Sequence, residues 1–102
     1  MRPIRKFRNP KYKMTLYIYP VADCGEDLQT GDPLEVSSEG EDLYEMKCGV
    51  NELILNTMTA FNANDGKCFI EVRIEKDDEY FDCDEWWVSV NLAERTVTRG
   101  GI

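Results

Sequence analysis

Histidine is absent from the 102 residues. The commonest general base of enzyme catalysis and the commonest nitrogen ligand of zinc are therefore both missing. Cysteine occurs four times, at 24, 48, 68 and 83, with no C-x-x-C pair of the kind that structural zinc sites usually carry. No apolar run approaches the ~20 residues of a membrane helix. No nucleophile elbow, phosphate-cradling glycine loop or dinucleotide fingerprint appears. The expectation from these absences is a protein that is not an enzyme, has no metal, no cofactor and no membrane partner. Its widely spaced thiols are read as reduced and its compartment as the cytoplasm.

What is present is charge, unevenly distributed. The net charge is −8. Residues 1–13 hold Arg2, Arg5, Lys6, Arg8, Lys11 and Lys13 and no acid, which is six of the twelve basic residues. Residues 14–102 hold the other six against all twenty acids, a net of −14. The chain reads as a flexible basic arm, 1–13, followed by one acidic domain, 14–102. A basic start, an apolar run and then Cys24 trace the outline of a lipoprotein signal. The run is short, contains Tyr17, Tyr19 and Pro20, and Asp23 stands where a small residue is needed, so a strand is the better reading.

Hydrophobic periodicity predicts strands at 14–21, 67–76 and 85–92 and a short one at 96–99. Along 67–76, Cys68, Ile70, Val72 and Ile74 face one way and Phe69, Glu71, Arg73 and Glu75 the other. Residues 51–63 predict the main helix, with Asn51 as N-cap, a Val50–Leu55 staple, and Ile54, Met58 and Phe61 on one face. Residues 39–49 carry both signals. A hairpin of 34–38 with 43–48 is expected, against a helix started by Ser38 and Glu41. Residues 23–33 read as a loop. The fold class that follows is α+β, an antiparallel sheet of about four to six strands in mostly meander order, with one main helix (about 50–63) packed on one face.

Two features invite a partner. Six acids fall within residues 77–85, namely Asp77, Asp78, Glu79, Asp82, Asp84 and Glu85, interleaved with Tyr80 and Phe81 and followed by Trp86 and Trp87. This segment reads as an acidic loop between strands. Its plain alternative is a solvated turn whose Tyr80 and Phe81 fold back onto the core. A calcium loop lacks both the spacing and the glycine it would need. The second feature is an outward row of Tyr17, Tyr19, Phe69 and Trp87. Aromatic rows also stack single-stranded bases, but an acidic body repels the phosphate backbone, so no direct nucleic-acid binding is expected.

The expected function is a small acidic binding protein. Its partner would be a basic, nucleic-acid-binding protein, held by carboxylates in phosphate sites and by aromatic anchors. In length and charge the chain resembles the small phage-encoded proteins that block restriction or CRISPR enzymes. The resemblance is one of class and brings no motif with it. The alternative is an assembly protein, a homodimer or larger, joined through the aromatic face and the basic arm.

Overall fold

The computed structural model describes residues 10–20 and 33–100. Most of the basic arm, and the segment expected to be a loop with Cys24 in it, lie outside these residues. The described chain is an α+β domain. Strands β1 (Tyr12–Pro20), β2 (Leu34–Gly40), β3 (Gly66–Lys76), β4 (Glu79–Asn91) and β5 (Thr96–Arg99) form one sheet, and helices α1 (Leu43–Cys48) and α2 (Val50–Ala60) lie between β2 and β3 in sequence. Every pairing is antiparallel and the strand order is β2-β1-β3-β4-β5.

The order departs from a meander at one point. Strands β2 and β3 both pair antiparallel with β1, so they run in the same direction. Parallel-running strands cannot be joined by a tight hairpin and need a crossover, which α1 and α2 supply. Met14, Leu16 and Ile18 of β1, Ile70, Val72 and Ile74 of β3, and Val88 and Val90 of β4 are buried in one cluster with Val50, Ile54, Leu55 and Met58 of α2. The helices therefore cover one face of the sheet and leave the other uncovered by any described element.

The expected hairpin over 34–38 and 43–48 is not formed. Residues 43–48 are helical because Asp42 caps them, its side chain accepting from Glu45 N–H at 3.1 Å. The alternation of Tyr44, Met46 and Cys48 was misleading. None of the six residues of α1 is buried, and only Leu43 and Met46, three apart on one helical face, pack against the core. Gly49 joins the two helices. Its N–H reaches back to Glu45 and Met46 carbonyls, and its carbonyl receives Leu53 N–H. The second helix thus starts at Val50 with no side-chain cap, and Asn51 is not its N-cap. It also ends early. Asn62 adopts a left-handed φ of 57°, Ala63 N–H returns to Met58 O at 2.8 Å and Asn62 N–H to Thr59 O at 3.1 Å. That Schellman pattern stops the helix and turns Phe61, expected on the core face, out to solvent.

Cys68 is buried in the sheet, while Cys48 and Cys83 are exposed, and all three are free thiols. Burial pushes the Cys68 thiol up to about 11. At pH 8, a thiol reagent is expected to modify Cys48 and Cys83 rapidly and Cys68 only on unfolding, as mass mapping of the alkylated peptides would report. The unfolded thiol loses its proton near pH 8.5, the folded one only near 11, so the unfolded state binds fewer protons in between. Stability contributed by this group declines as pH rises through that window, and urea melts at pH 8 and 10.5 compared with a Cys68→Ala variant would show it.

Candidate partner-binding surfaces

Strands β3 and β4 form a hairpin whose acidic end was expected to be a loop. It is a strand almost to its tip. Lys76 pairs with Glu79, leaving Asp77 and Asp78 as a two-residue turn. Both have positive φ, 51° and 70°. A turn of that kind needs φ above zero at both central residues, which aspartate tolerates better than most side chains. The two acids at the tip thus meet a backbone requirement. Asp77 has a further one. Its carboxylate accepts Lys11 N–H at 3.0 Å while its own N–H donates to Lys11 O at 2.8 Å, which ties the turn to the start of β1.

Beyond the turn, the register between β3 and β4 shifts at Ile74/Glu75, where Ile74 pairs with Asp82 and Glu75 with Tyr80. Phe81 is the extra residue of this bulge. Neither aromatic folds back onto the core. Tyr80 is 69% and Phe81 45% exposed. Phe81 meets Tyr12 edge-on at 5.8 Å, with the Lys76 ammonium 5.6 Å from its ring. Tyr80 donates to Cys83 Sγ at 3.6 Å, and that bond, with the nearby thiol and Asp82, raises its pKa above the ordinary tyrosine value.

The sheet register divides the candidate residues between two faces. On the uncovered face, Tyr19 lies opposite Phe69 and Phe69 opposite Trp87. The rings touch in sequence, at 6.2 Å and 5.2 Å between centroids. The next row holds Tyr17, Glu71 and Glu85. Glu71 and Glu85 are direct cross-strand neighbours of like charge, an unfavourable pair unless neutralised. Glu71 is relieved by Arg73 at 3.4 Å and by the Tyr19 hydroxyl at 3.3 Å. Burial first, and the Glu71 carboxylate second, hold the Tyr19 phenol above its ordinary pKa. Arg73 also lies 5.7 Å from the Tyr17 ring. So Tyr17, Tyr19, Phe69, Trp87 and Glu85 form one surface.

Asp82 and Asp84 belong to the other face. They share with Trp86 the side that the helices cover. There they rim a concavity of about 250 Å³ floored by Val50, Val72 and Ile74. Sequence reasoning treated Asp82 and Asp84 as one patch with Glu85 and overlooked Trp86 and Arg99. Counting back by twos from Trp86 would have put both aspartates on the tryptophan's side, since the pleat alternates.

Of the six acids at 77–85, Asp84 is paired with Arg99 at 3.6 Å. Asp78, Glu79, Asp82 and Glu85 make no ion pair among the described residues. In the same set, no group of three or more side chains is disposed to hold a metal ion, and no helix is long and apolar enough to cross a membrane.

Comparisons with protein-family models, curated proteins and solved structures return no match to this chain. The residues themselves must carry any argument about what it does. They offer a strand-paired hairpin whose acidic end is only partly neutralised, an aromatic row on the open sheet face, and a small concavity between hairpin and helices.

Proposed function

We propose that the chain is a binding protein that docks a basic, nucleic-acid-handling protein through the acidic end of the β3–β4 hairpin and blocks it by occupying phosphate sites. The observation that carries this reading is the set of exposed carboxylates at Asp78, Glu79, Asp82 and Glu85, which have no ion-pair partner among the described residues although Lys76 and Arg73 lie on the adjoining strand. Carboxylates left this way repel one another and raise the free energy of the isolated protein. A cationic partner would relieve that repulsion and be drawn to it at long range. Charge alone gives rate and register more than affinity, so Tyr80 and Phe81 beside the acids would supply the apolar contact. On this reading the protein performs no catalysis.

The test is capture by the tagged protein from nuclease-treated lysate, with duplex DNA as competitor. The expected result is a basic nucleic-acid-binding protein that high salt releases and DNA displaces. A captured protein that neither salt nor DNA dislodges would end the mimicry reading.

The continuous Tyr19–Phe69–Trp87 row, half-buried but covered by no described element, supports a second reading, self-association through the open sheet face, because a contiguous apolar row on an open face marks an interaction site. Light scattering of the eluting protein distinguishes the two. A dimer that Phe69→Ser dissociates would favour assembly.

A further inference from the structure

The concavity beside the hairpin already holds a cation, and it is the chain's own. The Arg99 guanidinium lies 4.4 Å from the centroid of the Trp86 ring and pairs with Asp84 at 3.6 Å. A flat cation over an indole with a carboxylate beside it is the way proteins recognise arginine. The two aspartates are held ready for that task. Asp82 Oδ1 accepts Cys83 N–H, and Asp84 Oδ1 accepts Glu85 N–H, each at 2.8 Å. Each carboxylate therefore has one oxygen fixed by backbone; the second oxygen of Asp84 faces Arg99, and that of Asp82 has no ion-pair partner among the described residues. The floor of Val50, Val72 and Ile74 suits the aliphatic stem of a long side chain. Lys47 is the other cation of the lining. With Arg99 in place the lining is neutral, two acids against two bases. With Arg99 swung out it is left with a net negative charge.

We propose that this concavity receives an arginine side chain from the basic protein partner, and that Arg99 is an internal placeholder which the incoming arginine displaces. The proposal deepens the binding-protein reading and rests on it for the identity of the partner. Displacement is undemanding on geometric grounds. Arg99 ends β5, a four-residue edge strand, its side chain is 65% exposed, and an exposed ion pair and cation–π contact hold it weakly. Arginine is favoured over lysine, because a planar fork can stack on Trp86 while reaching both Asp82 and Asp84, and a compact ammonium cannot.

The test needs no partner. In a Trp87→Phe background Trp86 is the sole tryptophan, since the chain has two. Its fluorescence is followed while N-acetyl-arginine amide is added at constant ionic strength. Competition by the placeholder lowers apparent affinity by the fraction of sites it leaves open. Arg99→Ala is therefore expected to bind the probe about 5–10-fold more tightly than the parent. N-acetyl-lysine amide should bind several-fold more weakly, and Asp82→Asn with Asp84→Asn should abolish saturation. If Trp87→Phe proves unfolded, the Trp86 indole N–H resonance in the Arg99→Ala protein gives the same readout. Equal affinity with and without Arg99, or saturation that survives loss of both aspartates, would overturn the proposal. Its failure is separable from that of the parent reading. A protein that still captures a salt-released basic partner but ignores the arginine probe has the docking function without this pocket.

Discussion

Replacing Ile70 with alanine is expected to lower the free energy of unfolding by about 3 kcal/mol in urea titration, with an unchanged slope against denaturant. Ile70 has no exposed surface. It is in the central strand β3, between Ile18 of β1 and Trp86 of β4, within the cluster that includes Ile54 and Met58 of α2. Truncation there removes three carbons from a site walled by sheet and helix, and neither wall can collapse far without breaking ladder hydrogen bonds. Its sequence neighbour provides the control. Phe69 points to the uncovered face and loses chiefly its ring contacts with Tyr19 and Trp87, so Phe69→Ala is expected to cost about 1–2 kcal/mol. The unequal pair would establish which face of β3 is core. Equal losses would mean that the open face is packed as well, and the aromatic row would then be structural.

That difference between adjacent residues was visible in the sequence, because β3 alternates cleanly and one face is apolar throughout. The same logic gave the faces of β1 and the inner face of β4 from Trp86 onward. It failed where local chemistry outweighed pattern. Residues 43–48 alternate like a strand, yet a single capping aspartate and the crossover that β2 and β3 require make them helical. Phe61 continues the helical stripe of Ile54 and Met58, yet Asn62 ends the helix before it. The acidic segment failed for another reason. Asp and Glu have low strand propensity, and propensity yields when cross-strand pairing is available. Here Val72 and Ile74 on β3 hold Asp84 and Asp82 in register. Once the segment is a strand, its acids divide between two faces. Counting by twos from Trp86 separates Asp82 and Asp84 from Glu85, but the parity of Glu79 and Tyr80 was unreadable without the bulge at Phe81. The aromatic row was legible because it needs only period two. The arginine site was not, because it joins Trp86 to a residue of β5 through a four-residue turn.

The acidic end of the hairpin can be tested without disturbing what the fold needs from it. Asp77 anchors Lys11 and Asp84 holds Arg99, so both are retained. Asp78 has a φ of 70°, where lysine would be strained, so Asn is the suitable replacement. The variant Asp78→Asn, Glu79→Lys, Asp82→Lys, Glu85→Lys changes the charge of residues 77–85 from −6 to +1. Each altered position is exposed, and its stability should stay within about 1 kcal/mol of the parent. Affinity for a cationic partner should fall at least ~100-fold near 0.15 M salt, since several rim charges worth roughly 0.5–1 kcal/mol each change from attraction to repulsion. The loss should appear mainly in the association rate and shrink as salt rises, because screening removes the long-range field but leaves the contacts of Tyr80 and Phe81. Surface plasmon resonance across a salt series measures both. A fully folded variant that bound as well as the parent would show that these four carboxylates do not carry recognition, and the phosphate-mimicry reading would fall.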